Sequence, residues 1–196
     1  MRNTFAVTLC AVVALVVAAA PGSADETLVP SWMKSDAATK TVNIELVAGW
    51  NANNGALNYN GYYKGDMTVV IPAGWTVDVK FRNRDGMLPH SVLVTKPYLV
   101  TQPYLVTKPS PPKEIPEQAG VSEVAIARAY SNDPESGMMA DHREEFGFSA
   151  RDAGEYWLLC GVTGHALQGM WVKLSVDAQT DQPQIAIAGG AEPGWR

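Results

Sequence analysis

The chain has 196 residues, of which 46% are hydrophobic and 18% charged, and its formal net charge at pH 7 is −5. This composition provides enough apolar material for one domain with a core and excludes a disordered chain. The 15 lysine and arginine residues are scattered, which argues against nucleic acid and against anionic membrane surfaces as partners.

The first 24 residues have the layout of a secretory signal peptide. Arg2 precedes an apolar run over residues 5–20, interrupted only by Thr8, and small residues follow at 22–24. Since the run is shorter than the roughly 20 residues that a spanning helix needs, we expect cleavage after Ala24 and a periplasmic or otherwise exported protein. The alternative is a retained membrane anchor with the protein facing outside, and membrane association is expected only in that case.

Short apolar runs separated by Gly, Pro and Asn predict β-strands along the rest of the chain. Alternation of apolar and polar residues is clearest in residues 76–81 and 171–176. The segment 122–130 could be a strand or a helix, so seven or eight strands are expected, in an antiparallel sandwich or barrel. The predicted strands are residues 41–47, 66–71, 75–82, 90–95, 122–130, 145–149, 155–160 and 170–176.

A single domain is expected over residues 41–176, between less regular ends. Residues 25–40 are polar and predict a loose lead-in, and residues 177–196 lack a core pattern and predict a surface tail. A six-residue repeat over 94–109 continues into a Pro-rich stretch that ends near residue 116. Its prolines cannot donate to a strand ladder, so we expect an edge extension or a projecting loop. A tandem insertion without a specific role and a partner-docking arm both stay open.

Four side chains predict one copper site. Cys160, His165 and Met170 follow the spacing C-x4-H-x4-M between two predicted strands, and His90 opens another strand. A thiolate, two imidazoles and a weak thioether are the donors of a blue-copper electron-transfer site. Removal of residues 1–24 would leave Cys160 as the only cysteine, which in an oxidising compartment needs a ligand role or burial.

Each donor alone would more often be structural, because a single methionine, histidine or cysteine is commonly a core residue. The four together, at fixed spacing, favour copper, with one Cu(I)/Cu(II) ion per chain and no catalytic residue. His142 has thioethers nearby that could bind Cu(I), but we expect it to be a solvated loop residue. Ser91, next to His90, is a candidate for a hydrogen bond near the thiolate.

At these residues the chain resembles the cupredoxins, and within them the sulfocyanin and rusticyanin-like blue copper proteins. The resemblance covers roughly residues 41–95 and 145–176. The motifs that carry it are Asn-Tyr-Asn-Gly-Tyr at 58–62, Met-Thr-Val-Val-Ile-Pro-Ala-Gly-Trp at 67–75, Leu-Pro-His-Ser at 88–91 and Gly-Glu-Tyr-Trp at 154–157.

The resemblance implies an all-β fold, a Greek-key antiparallel β-sandwich. It also implies one type 1 copper with His90, Cys160, His165 and Met170 as ligands, in a high-potential, one-electron shuttle of a respiratory chain. Its donors and acceptors would be redox proteins of the cytochrome or terminal oxidase class, docking near His165 through an apolar patch. The repeat at 94–109 departs from the family pattern.

Three other functions would use some of the same residues. A copper enzyme with a second site would need more histidines than His142, so only a single-site enzyme or sensor resembling nitrosocyanin stays open, and it requires that Met170 does not bind the metal. A copper chaperone or storage protein would need exposed, exchangeable donors. A Cys–His nucleophile made of Cys160 and His165 has no evident third residue to orient the imidazole.

Overall fold

The computed structural model describes residues 25–96 and 125–189, and within these ranges the chain folds into two packed β-sheets. The expected all-β sandwich is confirmed. One sheet has the order β1-β10-β4-β9-β8-β6 and the other β2-β3-β5-β7. The strands are β1 (Glu26–Leu28), β2 (Met33–Asp36), β3 (Thr41–Ala48), β4 (Met67–Pro72), β5 (Trp75–Asn83), β6 (Leu93–Thr95), β7 (Arg143–Ala150), β8 (Gly154–Leu159), β9 (Trp171–Asp177) and β10 (Gln184–Ile187).

The two strands with the clearest alternation show how the sequence builds the core. In β5, Val77, Val79 and Phe81 are buried, whereas the residues between them are largely exposed. In β9 the buried positions again recur every second residue. Because successive side chains of a strand point to opposite faces, one apolar face of each sheet packs against the other sheet.

Both sheets are mixed rather than purely antiparallel. β3 pairs with β5 in parallel, from Thr41 opposite Thr76 onward, and β4 pairs with β9 in parallel. The other strand pairings among the described residues are antiparallel, as expected. Parallel neighbours need a crossover connection, and here β4, which lies between β3 and β5 in the chain, belongs to the opposite sheet.

The segments expected to be irregular at both ends contain strands. The predicted lead-in at 25–40 holds β1 and β2, and the predicted tail at 177–196 holds β10 between β1 and β4. Both predictions were wrong for the same reason. These strands are three or four residues long, and only Met33 in the first pair, and Ile185 and Ile187 in β10, are buried. A strand of three or four residues is too short for an alternation of apolar and polar positions to be recognised in the sequence.

Two other expected strands are changed. Regular pairing in the segment 90–95 covers only β6, and His90 instead forms an isolated bridge with Met138. Residues 125–130 form a turn and a bridge from Tyr130 to Leu93, not a strand. The predicted leader and residues 97–116 of the repeat segment lie outside the described residues. Within 25–96 and 125–189, no helix is long and apolar enough to cross a membrane.

Candidate metal centre

Three of the four predicted donors lie on one closed loop between β8 and β9. Cys160 follows β8 directly, and Met170 immediately precedes β9. The Cys160 N–H donates to the Met170 carbonyl at 3.0 Å, and the Met170 N–H donates to the His165 carbonyl at 3.0 Å. Since β8 and β9 pair antiparallel with Leu159 opposite Trp171, the pairing continues into the loop and holds its two ends together.

His90 joins this loop from the connection between β5 and β6. The donor atoms of His90, Cys160 and His165 all lie within 4.8 Å of one another. Cys160 Sγ is 3.4 Å from His165 Nδ1, and the two imidazole centroids are 5.1 Å apart. The structure thus brings three predicted donors together. Met170 is fully buried in the same apolar cluster as Cys160, and its role as a ligand stays a prediction.

The three clustered donors are shielded from solvent. His90 and Cys160 have no exposed surface, and His165 is 7% exposed. Burial lowers the pKa of His165 to about 4, with the neighbouring His90 as a second cause, and burial also lowers the pKa of His90 although Asp85 opposes it. Both rings are therefore neutral at pH 7, each with a nitrogen lone pair to offer a metal.

The pKa of the Cys160 thiol is shifted upward, whereas those of the two histidines are lowered. Burial raises the pKa of Cys160, against the opposing effect of the Ser91 and Val162 amides. In the metal-free protein the sulfur is consequently protonated at neutral pH. Since a thiolate is the metal-binding form, the loss of this proton must accompany metal binding, which makes the affinity pH-dependent.

His90 provides the test of whether these residues fit a metal. Its Nε2 lies 3.0 Å from Asp85 Oδ2, whereas its Nδ1 is buried and has no hydrogen-bond partner. Leaving a buried polar atom unpaired costs about 1–3 kcal/mol, so such atoms are rare without a reason. A metal ion held by Nδ1 would remove that cost. A buried soft sulfur with two imidazoles suits copper.

Ser91 contacts the sulfur mainly through its backbone. Its N–H lies 3.4 Å from Cys160 Sγ, and its hydroxyl oxygen is farther away at 3.7 Å. The hydroxyl donates to the Pro134 carbonyl at 2.6 Å and accepts the Gly161 N–H at 2.8 Å. Its proton is thus engaged elsewhere, and the predicted hydrogen bond near the thiolate comes from the amide.

The sequence reasoning missed the segment 131–138 that covers His90. His90 and Met138 exchange two backbone hydrogen bonds, and Asn83 Nδ2 donates to the Met138 and Leu88 carbonyls. Gly137 adopts φ +69°, and a Cβ there would lie 2.9 Å from the His90 carbonyl carbon. Only glycine fits this close approach. Glycine near an Asn-Asp-Pro turn was a visible signal, but not one pointing to a metal site.

Large apolar side chains are exposed in the segments around the donors. Met87 and Leu88 precede His90 in the chain, Leu167 lies in the loop from Cys160 to Met170, and Met139 follows Met138, the bridge partner of His90. Ala166, the residue after His165, is buried with Leu93 and Leu159. His142 is an exposed loop residue outside the donor cluster, as predicted.

Comparison with known proteins agrees with this geometry. A family model described as the sulfocyanin (SoxE) domain matches residues 30–187. The chain belongs to the sulfocyanin family. Sulfocyanins are cupredoxins, the blue copper electron-transfer proteins, and their cofactor is one copper ion. The buried Cys160 and the unpartnered nitrogen of His90 suit that cofactor.

Individual relatives show the extent of the similarity. The chain is 29% identical to sulfocyanin of Sulfolobus acidocaldarius over 150 residues, which cover 76% of this chain and 69% of that protein. It is 30% identical to rusticyanin of Acidithiobacillus ferrooxidans over 117 residues, which cover 58% of this chain and 62% of the relative. Among solved structures, auracyanin A of Chloroflexus aurantiacus is 20% identical with a TM-score of 0.44, covering 70% of this chain and 99% of its own.

Proposed function

We propose that this protein is an exported, mononuclear type 1 copper protein that passes single electrons between respiratory proteins, with His90, Cys160, His165 and Met170 as the copper ligands. The observation that supports it most is the meeting of three buried donors within 4.8 Å of one another, one with an unpartnered nitrogen. Copper, when bound, supplies the one-electron change between Cu(II) and Cu(I).

The residues of the chain provide a rigid, dry enclosure for that change. The Cys160 and Met170 backbone hydrogen bonds hold the loop, and the bridge to Met138 holds His90. Exclusion of water disfavours the more highly charged cupric state, so burial supports a high reduction potential. Ligands that need not move between oxidation states allow rapid electron exchange.

The same burial favours a carrier over the alternatives. His90 and Cys160 are fully buried and His165 is only 7% exposed, so these three donors offer a substrate little direct access to a bound metal. A chaperone needs accessible, exchangeable donors, and these are enclosed. We propose that cytochrome or oxidase partners dock near His165, and the exposed apolar side chains of Met87, Leu88, Met139 and Leu167 are candidates for the contact.

An absorption and paramagnetic-resonance spectrum of the copper-loaded chain without residues 1–24 tests the ligand set. We expect an intense thiolate-to-copper band, its loss in Cys160→Ser and in His165→Ala, and its retention in the control His142→Ala, since His142 is outside the cluster. No band in the parent protein, or a band in Cys160→Ser, would refute the proposed site. Addition of azide should leave the spectrum unchanged, whereas a new azide-dependent band would support the single-site enzyme.

A further inference from the structure

The two carboxylate oxygens of Asp85 have different partners, and one of these partners is the proposed copper ligand His90. One oxygen, Oδ1, accepts the N–H groups of Met87 at 2.8 Å and Leu88 at 3.2 Å and so closes a tight turn. The other, Oδ2, lies 3.0 Å from His90 Nε2. The Asp85 N–H itself donates to Asn83 Oδ1 at 2.8 Å. The residue is 8% exposed, so these partners replace water around it.

The partners of this carboxylate determine where the His90 proton resides. Oδ1 accepts two backbone N–H groups, and hydrogen bonds of this kind stabilise the charged carboxylate, which has no proton to donate and can only accept. The neutral imidazole must therefore carry its proton on Nε2, which leaves the lone pair on the buried, unpartnered Nδ1.

We propose that Asp85 is a positioning residue that holds His90 in the Nε2–H tautomer, with Nδ1 directed to the metal, and that its negative charge favours Cu(II) over Cu(I). This inference rests on the proposed function, since it takes His90 as a copper ligand. A carboxylate that orients a ligating histidine also increases the basicity of the ring. Its charge opposes the effect of burial, and it thereby limits the potential that the enclosed site reaches.

The geometry requires aspartate rather than asparagine. Oδ1 and Oδ2 accept from donors in two different directions, toward the turn and toward His90. Asparagine has one acceptor oxygen and one NH2 group. Its oxygen can serve the turn, in which case the NH2 faces Nε2 and requires the opposite tautomer, or it can serve His90, in which case the NH2 faces the turn amides. Either arrangement loses one of the interactions and the charge.

The tautomer is measured first, by 15N NMR of the imidazole groups in the copper-free protein at pH 7. We expect His90 to carry its proton on Nε2 in the parent protein, and to lose this preference in Asp85→Ala. Should Asp85→Ala fail to fold, Asp85→Asn serves, with loss of either the Nε2–H preference or the slow exchange of the Met87 and Leu88 amides. A parent His90 protonated on Nδ1 would overturn the proposal, and so would an Asp85→Asn protein that keeps both features.

The charge is tested by the reduction potential of the copper-loaded protein at fixed pH and salt. Asp85→Asn should shift the preference for Cu(II) over Cu(I) by roughly tenfold toward Cu(I), a rise of about 59 mV for a one-electron couple. The control is Asp177→Asn, because Asp177 also closes a turn, accepting the Gln179 N–H at 2.8 Å, but lies at the opposite end of β9 from Met170.

The two outcomes separate this inference from the proposed function. Equal potentials in Asp85→Asn and Asp177→Asn, with the charge-transfer band intact, would overturn the role of Asp85 and leave the copper carrier standing. Absence of the band from the parent protein would refute the carrier, and the tautomer measurement on copper-free protein would still decide whether Asp85 orients His90.

Discussion

The substitution Ser91→Ala separates the mechanical role of Ser91 from its contact with the sulfur. The side chain is completely buried, and its hydroxyl links the Pro134 carbonyl to the Gly161 N–H, both on buried residues. Alanine would leave both groups without a partner. An orphaned buried group costs about 1–3 kcal/mol, so two of them should lower the free energy of unfolding by roughly 2–4 kcal/mol, allowing for partial relaxation.

Urea unfolding of the copper-free protein measures this loss, because bound metal would add its own stabilisation. With a slope of about 2 kcal/mol/M, the midpoint should fall by about 1–2 M. The copper-loaded variant should keep its charge-transfer band, since the backbone N–H of Ser91 still faces Cys160 Sγ.

The matched control is Ser175→Ala. Its hydroxyl also donates one short hydrogen bond, to Glu155 Oε1 at 2.6 Å, but at an exposed site where water replaces it, so a change within about 0.5 kcal/mol is expected. If Ser91→Ala unfolded at the same urea concentration as the control, the two groups would have found other partners. The hydrogen bonds that Ser91 makes to Pro134 and Gly161 would then contribute little to the free energy of unfolding.

Two further predictions concern the ligand loop. Met170→Gln should preserve copper binding and lower the reduction potential, because an amide oxygen stabilises Cu(II) better than a thioether; an unchanged potential, as expected for the exposed Met139→Gln, would remove Met170 from the ligand set. Copper-free protein should lose stability as the pH falls from 6.5 to about 4, by roughly 3 kcal/mol at most, because the unfolded chain binds a proton at His165 that the folded protein rejects. The urea midpoint should fall with pH across this range in the control His142→Gln, and most of this pH dependence should be lost in His165→Gln. A midpoint of the parent protein that does not change with pH would contradict the role of His165.

Part of the fold was predictable because a strand with one buried face has apolar residues at every second position. β5 and β9 alternate over seven or more residues, so their boundaries were predicted to within one residue. β10 contributes two buried isoleucines to the core, yet four residues are too few to distinguish a strand from a loop. Its position between β1 and β4 depends on backbone pairing, which nearly every residue type except proline can provide.

The donors were predictable to different degrees for a similar reason. The loop from Cys160 to Met170 is closed by neighbouring strands, so its residues are close in space because they are close in the sequence. Contacts of His90 run to Met138 and those of Ser91 to Pro134, across more than forty residues. Single buried polar contacts of this kind leave no pattern in the sequence, and Asp85 and Asn83 were missed because their partners depend on how the loops meet.

The same long-range contacts bear on how the site functions. Backbone hydrogen bonds hold the donor segments, from the Cys160 amide to the bridge at Met138. The fold thus fixes the positions of the donors through its own backbone pairing. If the four residues bind copper as proposed, a change of one charge meets side chains already fixed by packing, and the surroundings need little rearrangement. The buried hydrogen-bond network around Ser91, and not the ligand chemistry alone, would then keep electron exchange fast.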